Sequence, residues 1–112
     1  MNRRKEITDE YKARRLYGGV YTITNTANGK YLIDYAANLK SIQSRFHFAI
    51  TIGSTFHHRL QKDWDEFGAT AFAFKVIDEL EQKPDQSQAE FMEDLKTLEQ
   101  LCRANLDESK EY

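Results

Sequence analysis

The clearest pattern in the chain is a pair of β-branched and aromatic runs, Val20 to Thr24 and Tyr31 to Tyr35, separated by a segment containing Asn28-Gly29. Asn-Gly supplies the positive φ angles of a tight turn, so the pattern predicts an antiparallel hairpin. A two-residue turn there pairs Asn25 with Leu32, and alternation then places Tyr21 and Leu32 on one sheet face. Tyr31, a neighbour of Leu32, points to the other. Leu39, Ile42, Phe46, Ala49 and Ile50 recur at helical spacing behind Asn38, a plausible N-cap. Gly53 breaks this helix. Ser54 or Thr55 can cap a second one with the stripe Phe56, Leu60, Trp64 and Phe67, ended by Gly68. Ala71 to Ile77 (AFAFKVI) reads as a strand with Phe72, Phe74 and Val76 on one face. After the polar linker EQKPDQSQ, a last helix runs from Ala89 to Leu106 on a stripe of Phe91, Leu95, Leu98 and Cys102.

The order is hairpin, two helices, third strand, helix. That predicts an α/β domain with a small three-stranded antiparallel sheet flanked by helices. The 112 residues fit one domain, taken as 17–106. Residues 1–16 form a basic extension, with 4–15 read as a short polar helix, and 107–112 form a polar tail.

Composition narrows the function classes. No apolar run reaches the length of a membrane span. The single cysteine, Cys102, excludes an internal disulfide and any multi-cysteine metal site, so a reducing, cytoplasmic setting is expected. A net charge of −2 and a pI near 5.9 do not advertise nucleic-acid binding for the domain as a whole. Positive charge gathers instead at Arg3, Arg4, Lys5, Lys12, Arg14 and Arg15. That cluster reads either as a solvated tail or as an arm that touches a polyanion.

Gly19-Val20-Tyr21, the segment TITNTANGK, and Tyr31-Leu32-Ile33 resemble the paired motifs that name the GIY-YIG nuclease family. The run from Leu60 to Gly68, the strand AFAFKVIDEL, and the spacing to Leu98-Glu99-Gln100-Leu101 are similar to small stand-alone bacterial members. The resemblance covers about residues 17–105. It implies the fold order above and the chemistry of a metal-dependent phosphodiesterase. The family places tyrosines on the hairpin, an arginine on the first core helix and a glutamate on the last. A hydroxyl or water supplies the nucleophile, a guanidinium stabilises phosphoryl charge, and a carboxylate holds Mg²⁺ or Mn²⁺.

Carried over residue by residue, the catalytic candidates are Tyr21, Arg45 and Glu99, with Glu99 also the candidate metal ligand. Tyr21 matches the first tyrosine, but Leu32 stands at the second. Asp34 replaces the second motif's glycine, adding a charge that repels phosphate. An ungapped count from Leu39 puts Ile42 at the arginine position. Arg45 lies one turn further, as a cleft residue or as an ordinary surface arginine. The family histidine falls on Phe46, and His47, His57 and His58 read as surface or loop residues. Glu99 lies on the apolar face of the last helix among Met92, Leu95 and Leu106, where an unpaired carboxylate is costly. A metal ion or a salt bridge both satisfy it.

Three functional readings follow. The first is a catalytically degenerate GIY-YIG domain kept as a nucleic-acid-associated binding or accessory module, with DNA as its partner. The second is an active endonuclease with a relocated site built from Tyr21, Arg45, Glu99 and His47. The third is a module for a protein partner or small ligand, with Leu32 and Tyr35 as contact surface.

Overall fold

A computed structural model describes residues 17–54 and 56–112. The basic extension 1–16, with its predicted helix, and Thr55 lie outside the described residues. Three strands form one antiparallel sheet: β1 (Tyr17–Asn25), β2 (Tyr31–Ala36) and β3 (Phe72–Glu81), in the order β2-β1-β3. Helices α1 (Leu39–Ile52), α2 (Gln61–Phe67) and α3 (Gln88–Arg103) complete it, together with short 3-10 turns at His58–Leu60, Ala69–Ala71 and Glu108–Lys110. The expected fold class is therefore the observed one. No helix among the described residues is long and apolar enough to cross a membrane.

The hairpin forms, but in a register two residues from the expected one: Ile23 pairs with Leu32 and Thr24 with Tyr31. An Asn-Gly two-residue turn needs positive φ at both residues. Only Gly29 has it, at φ 77°. The loop closes instead on Asn25, whose carbonyl accepts from the amides of Asn28 and Gly29, and whose side chain accepts from Ala27 N. Because the shift is even, the faces are unchanged. Tyr21 and Leu32 share one face with Ile23, and Tyr31 and Ile33 share the other with Val20.

Each face carries a core. On the first, Leu39, Phe46 and Ala49 of α1 meet Leu60, Trp64 and Phe72. Phe46 is the centre of this packing, touching the rings of Phe56, Trp64 and Phe74. On the second, α3 lays Cys102 and Leu98 on Val20 and Ile33. Gly19 sits where a Cβ would collide with the Asp78 carbonyl oxygen and come within 2.9 Å of Leu39 Cδ1, so β1 needs a glycine there to pass between β3 and α1.

Three boundaries differ from the predicted ones. The second helix starts at Gln61, preceded by a 3-10 turn that the His57 side chain caps by accepting from Arg59 N. Its stripe buries Leu60 and Trp64, whereas Phe67 stays 39% exposed. Strand β3 continues past Ile77 to Glu81, because a bulge opposite Val20 and Tyr21 breaks the alternation just where the charged residues begin. Helix α3 ends at Arg103, three residues before Leu106. Its start is fixed by a reciprocal capping box between Ser87 and Glu90.

Residues 107–112, set apart in the sequence as a polar tail, dock as a strap along the outer strand β2. Glu111 forms a parallel bridge with Tyr31, and Tyr112 N donates to the Tyr31 carbonyl. The Tyr112 hydroxyl donates to Asp63 at 2.6 Å, and the same carboxylate oxygen accepts from Asn28 and the fully buried Asn25. This knot joins hairpin, α2 and strap.

Candidate functional site

Strand β2 is an outer strand, and its residues 32–34 border a depression of about 270 Å³. The other walls are His57, His58 and Arg59 from the 3-10 turn, and Glu99 and Arg103 from α3. Elements on both faces of the sheet thus converge at one edge. Asp34 lines this depression and pairs directly with Tyr21 in the sheet.

Tyr21 is 3% exposed and stacks on Phe74 at 5.1 Å between centroids. Burial pushes its hydroxyl far above its ordinary pKa, and the Asp34 charge adds to the rise. Arg45 pulls the other way, and Glu99 raises it again. Of the three catalytic candidates from the sequence, Arg45 and Glu99 each act electrostatically on the Tyr21 hydroxyl, but only Glu99 lines the depression. Arg45 is exposed on α1 and lies 5.4 Å over the Phe56 ring in a cation–π contact.

Glu99 is 8% exposed. Burial raises its pKa, the Arg103 charge opposes that rise, and Asp34 and Glu111 add to it. Arg103 supplies a salt bridge to this carboxylate. Arg103 Nη2 lies 2.8 Å from Glu99 Oε1, and Arg103 Nε lies 3.0 Å from Glu111 Oε1. Arg103 was not singled out in the sequence, although its i+4 spacing from Glu99 on a helix is a readable signal.

The histidines divide. His57 and His58 stack at 4.4 Å and line the depression with Arg59. Burial lowers the pKa of His57, the neighbouring His58 and Arg59 lower it further, and Asp34 opposes them. His47 is exposed on α1 and makes an edge contact with Phe46. The structure does not bring it to the depression. Phe46, at the family's histidine position, is committed to the core at 2% exposure. Leu32 is likewise 3% exposed and packed in the first core, while Tyr35, the other contact residue of the third reading, is half-buried against the second.

No family model matches the chain, and no curated protein does. Among solved structures it is similar to one titled "Structure of the Catalytic Domain of Homing Endonuclease I-TevI". The likeness has a TM-score of 0.53 at 19% identity and covers 85% of this chain and 95% of that one. The chain has a GIY-YIG nuclease-like fold. At that identity the likeness speaks for the fold alone.

Nucleases of this fold type are generally metal-dependent, so the donor set of the GIY-YIG-like cleft can be tested for a divalent ion. Glu99 has its carboxylate engaged by a guanidinium. Among the described residues no group of three or more His, Cys, Asp or Glu side chains is placed to hold a metal ion. Mg²⁺ takes one or two open carboxylates and completes a near-octahedral shell with water and phosphate, and the carboxylate offered here is already held by Arg103. As arranged, the residues do not fit one.

Proposed function

We propose that this GIY-YIG-like domain binds nucleic acid and does not cleave it. The environment of Tyr21 carries the reading. A phenol that is to act as nucleophile or base must give up its proton near the working pH, and catalytic groups are tuned in that direction. Here burial, Asp34 and Glu99 all hold the proton on, against Arg45 alone. Leu32 puts a packed methyl group where the resemblance implies a second hydroxyl. Losing one electrostatic contact at a reacting centre costs about a hundredfold to a thousandfold in rate, and several are missing together.

Support for nucleic acid comes from the rim. Arg59 is exposed at the edge of the depression with His58 beside it, and Arg45 is exposed on α1, over the Phe56 ring. Guanidinium groups are the side chains best suited to phosphate oxygens. Asp34 within the cleft keeps phosphate at the rim and out of the reacting position.

Titration of duplex and single-stranded DNA at increasing salt tests this. Two to three phosphate contacts give a log–log slope of roughly −2 to −3, and Arg59→Ala lowers its magnitude by about 1. Absence of binding at low salt, or a slope unchanged in both Arg59→Ala and Arg45→Ala, refutes the reading.

A further inference from the structure

Arg103 sits in the last turn of α3 and makes two ion pairs at once. One is with Glu99 across a helical turn, at 2.8 Å; the other is with Glu111 of the strap, at 3.0 Å. A solitary i,i+4 pair on a helix surface is loosely held. This one is clamped, because Glu111 is itself fixed by its bridge to Tyr31 and by the Tyr112 amide bond to the Tyr31 carbonyl.

The surroundings give the clamp a consequence. Asp34 and Glu99 both line the depression, and the Asp34 charge acts on Glu99, so the cleft brings two carboxylates to one cavity. Such a pair attracts a cation. Mg²⁺ and Mn²⁺ commonly use one or two protein carboxylates, the remaining ligands being water and phosphate. The guanidinium already presents N–H donors to the Glu99 oxygen such an ion would need, and its charge repels one that approaches. His57, His58 and Arg59 also face the depression. Of these, Arg59 is a fixed cation that adds to the repulsion, and none of the three is paired with Glu99 in an ion pair.

We propose that Arg103 is a tethered cation standing in for a divalent ion at Glu99, and that Glu111 positions it there. The cleft is then closed to metal by one side chain. Removing that side chain opens a Glu99–Asp34 metal site that the native chain lacks. The inference does not depend on nucleic-acid binding, because metal occupancy is read on the protein alone. A chain that binds DNA yet behaves otherwise towards metal sinks this proposal and leaves the other standing.

The test is a Mn²⁺ titration of the full chain, following free Mn²⁺ by electron paramagnetic resonance. Arg103→Gln is expected to bind Mn²⁺ at least about tenfold more tightly, the lower bound set by removing a positive charge ~5 Å from a divalent ion under water-like screening. The gain disappears in the double variant Arg103→Gln/Glu99→Gln. Arg103→Lys, which keeps the charge, shows none of it, whereas Glu111→Gln shows part. Native protein binding Mn²⁺ as tightly as Arg103→Gln overturns the proposal, as does a gain that survives loss of Glu99. If Arg103→Gln fails to fold by circular dichroism, Arg103→Met preserves the packed stem and is judged the same way. If both unfold, the bridge is a structural tie and the proposal is wrong.

Discussion

Replacing Asp63 by alanine cuts the knot that joins hairpin, α2 and strap. One carboxylate oxygen, Oδ2, receives the Tyr112 hydroxyl at 2.6 Å, Asn28 Nδ2 at 3.1 Å and Asn25 Nδ2 at 3.3 Å. The three do not count equally. Asn28 is exposed and turns to water at little cost. Asn25 is fully buried, but its Nδ2 keeps a second partner in the Tyr112 oxygen at 3.2 Å. The short bond from Tyr112 carries most of the loss. Hydrogen bonds to a charged acceptor contribute ~1.5–3 kcal/mol each when sheltered, so Asp63→Ala should cost about 2–3 kcal/mol in total. With an m value of ~1–2 kcal/mol per molar, the urea midpoint falls by about 1–3 M.

Acidity supplies a second, independent reading. The hydrogen bond from Tyr112, with those from Asn28 and Asn25, holds the Asp63 carboxyl below its ordinary pKa, against some opposing burial. A group whose folded pKa is depressed stabilises the fold fully above its unfolded value, about pH 4, and loses that contribution as pH falls through the folded value. The gap between native protein and Asp63→Ala should therefore be full at pH 7 and narrow steadily below about pH 4. Urea denaturation across that range, followed by tryptophan fluorescence from Trp64, measures it. A variant within about 0.5 kcal/mol of native at pH 7 refutes the reasoning, and so does a gap that stays constant into acid.

Two further outcomes follow from the site. Gly19→Ala places a methyl group against the Asp78 carbonyl and Leu39, and should destabilise by about 2 kcal/mol or more in the same assay; a cost below about 0.5 kcal/mol would show that β3 yields easily. Glu99 has a raised folded pKa, so its contribution to stability is present below its ordinary value and lost as pH rises through the folded one. Glu99→Gln should thus match or exceed native stability at pH 7, by up to about 1 kcal/mol, with the advantage fading below about pH 4; a loss of more than about 1 kcal/mol at neutral pH contradicts this.

The fold was readable because its elements carry strong local signals. Asn38 accepts from Ser41 N as an N-cap, Gly53 ends α1 at φ 73°, and the Phe46 stripe buries as its spacing requires. The hairpin register was misread because Asn-Gly has more than one turn open to it. What chose between them was the Asn25 side chain, held by Asp63 and Tyr112 from 38 and 87 residues away. No local pattern contains that information. The same holds for the site. Tyr21 and Glu99 were visible as residue types at family positions, whereas the engagement of Glu99 by Arg103 depends partly on Glu111, in a segment that reads as a polar tail. His57 and Arg59 join the cleft only because a 3-10 turn replaces the first turn of a predicted helix.

The reading of this GIY-YIG-like domain as a binder without phosphodiesterase activity stands most directly on one assay. Purified protein is incubated at low salt with supercoiled, linear duplex and single-stranded DNA in the presence of Mg²⁺ or Mn²⁺, and the products are separated by size. The expected result is that every substrate is recovered intact, with native protein and with Glu99→Ala alike. Cleavage by the native chain that disappears in Glu99→Ala contradicts it.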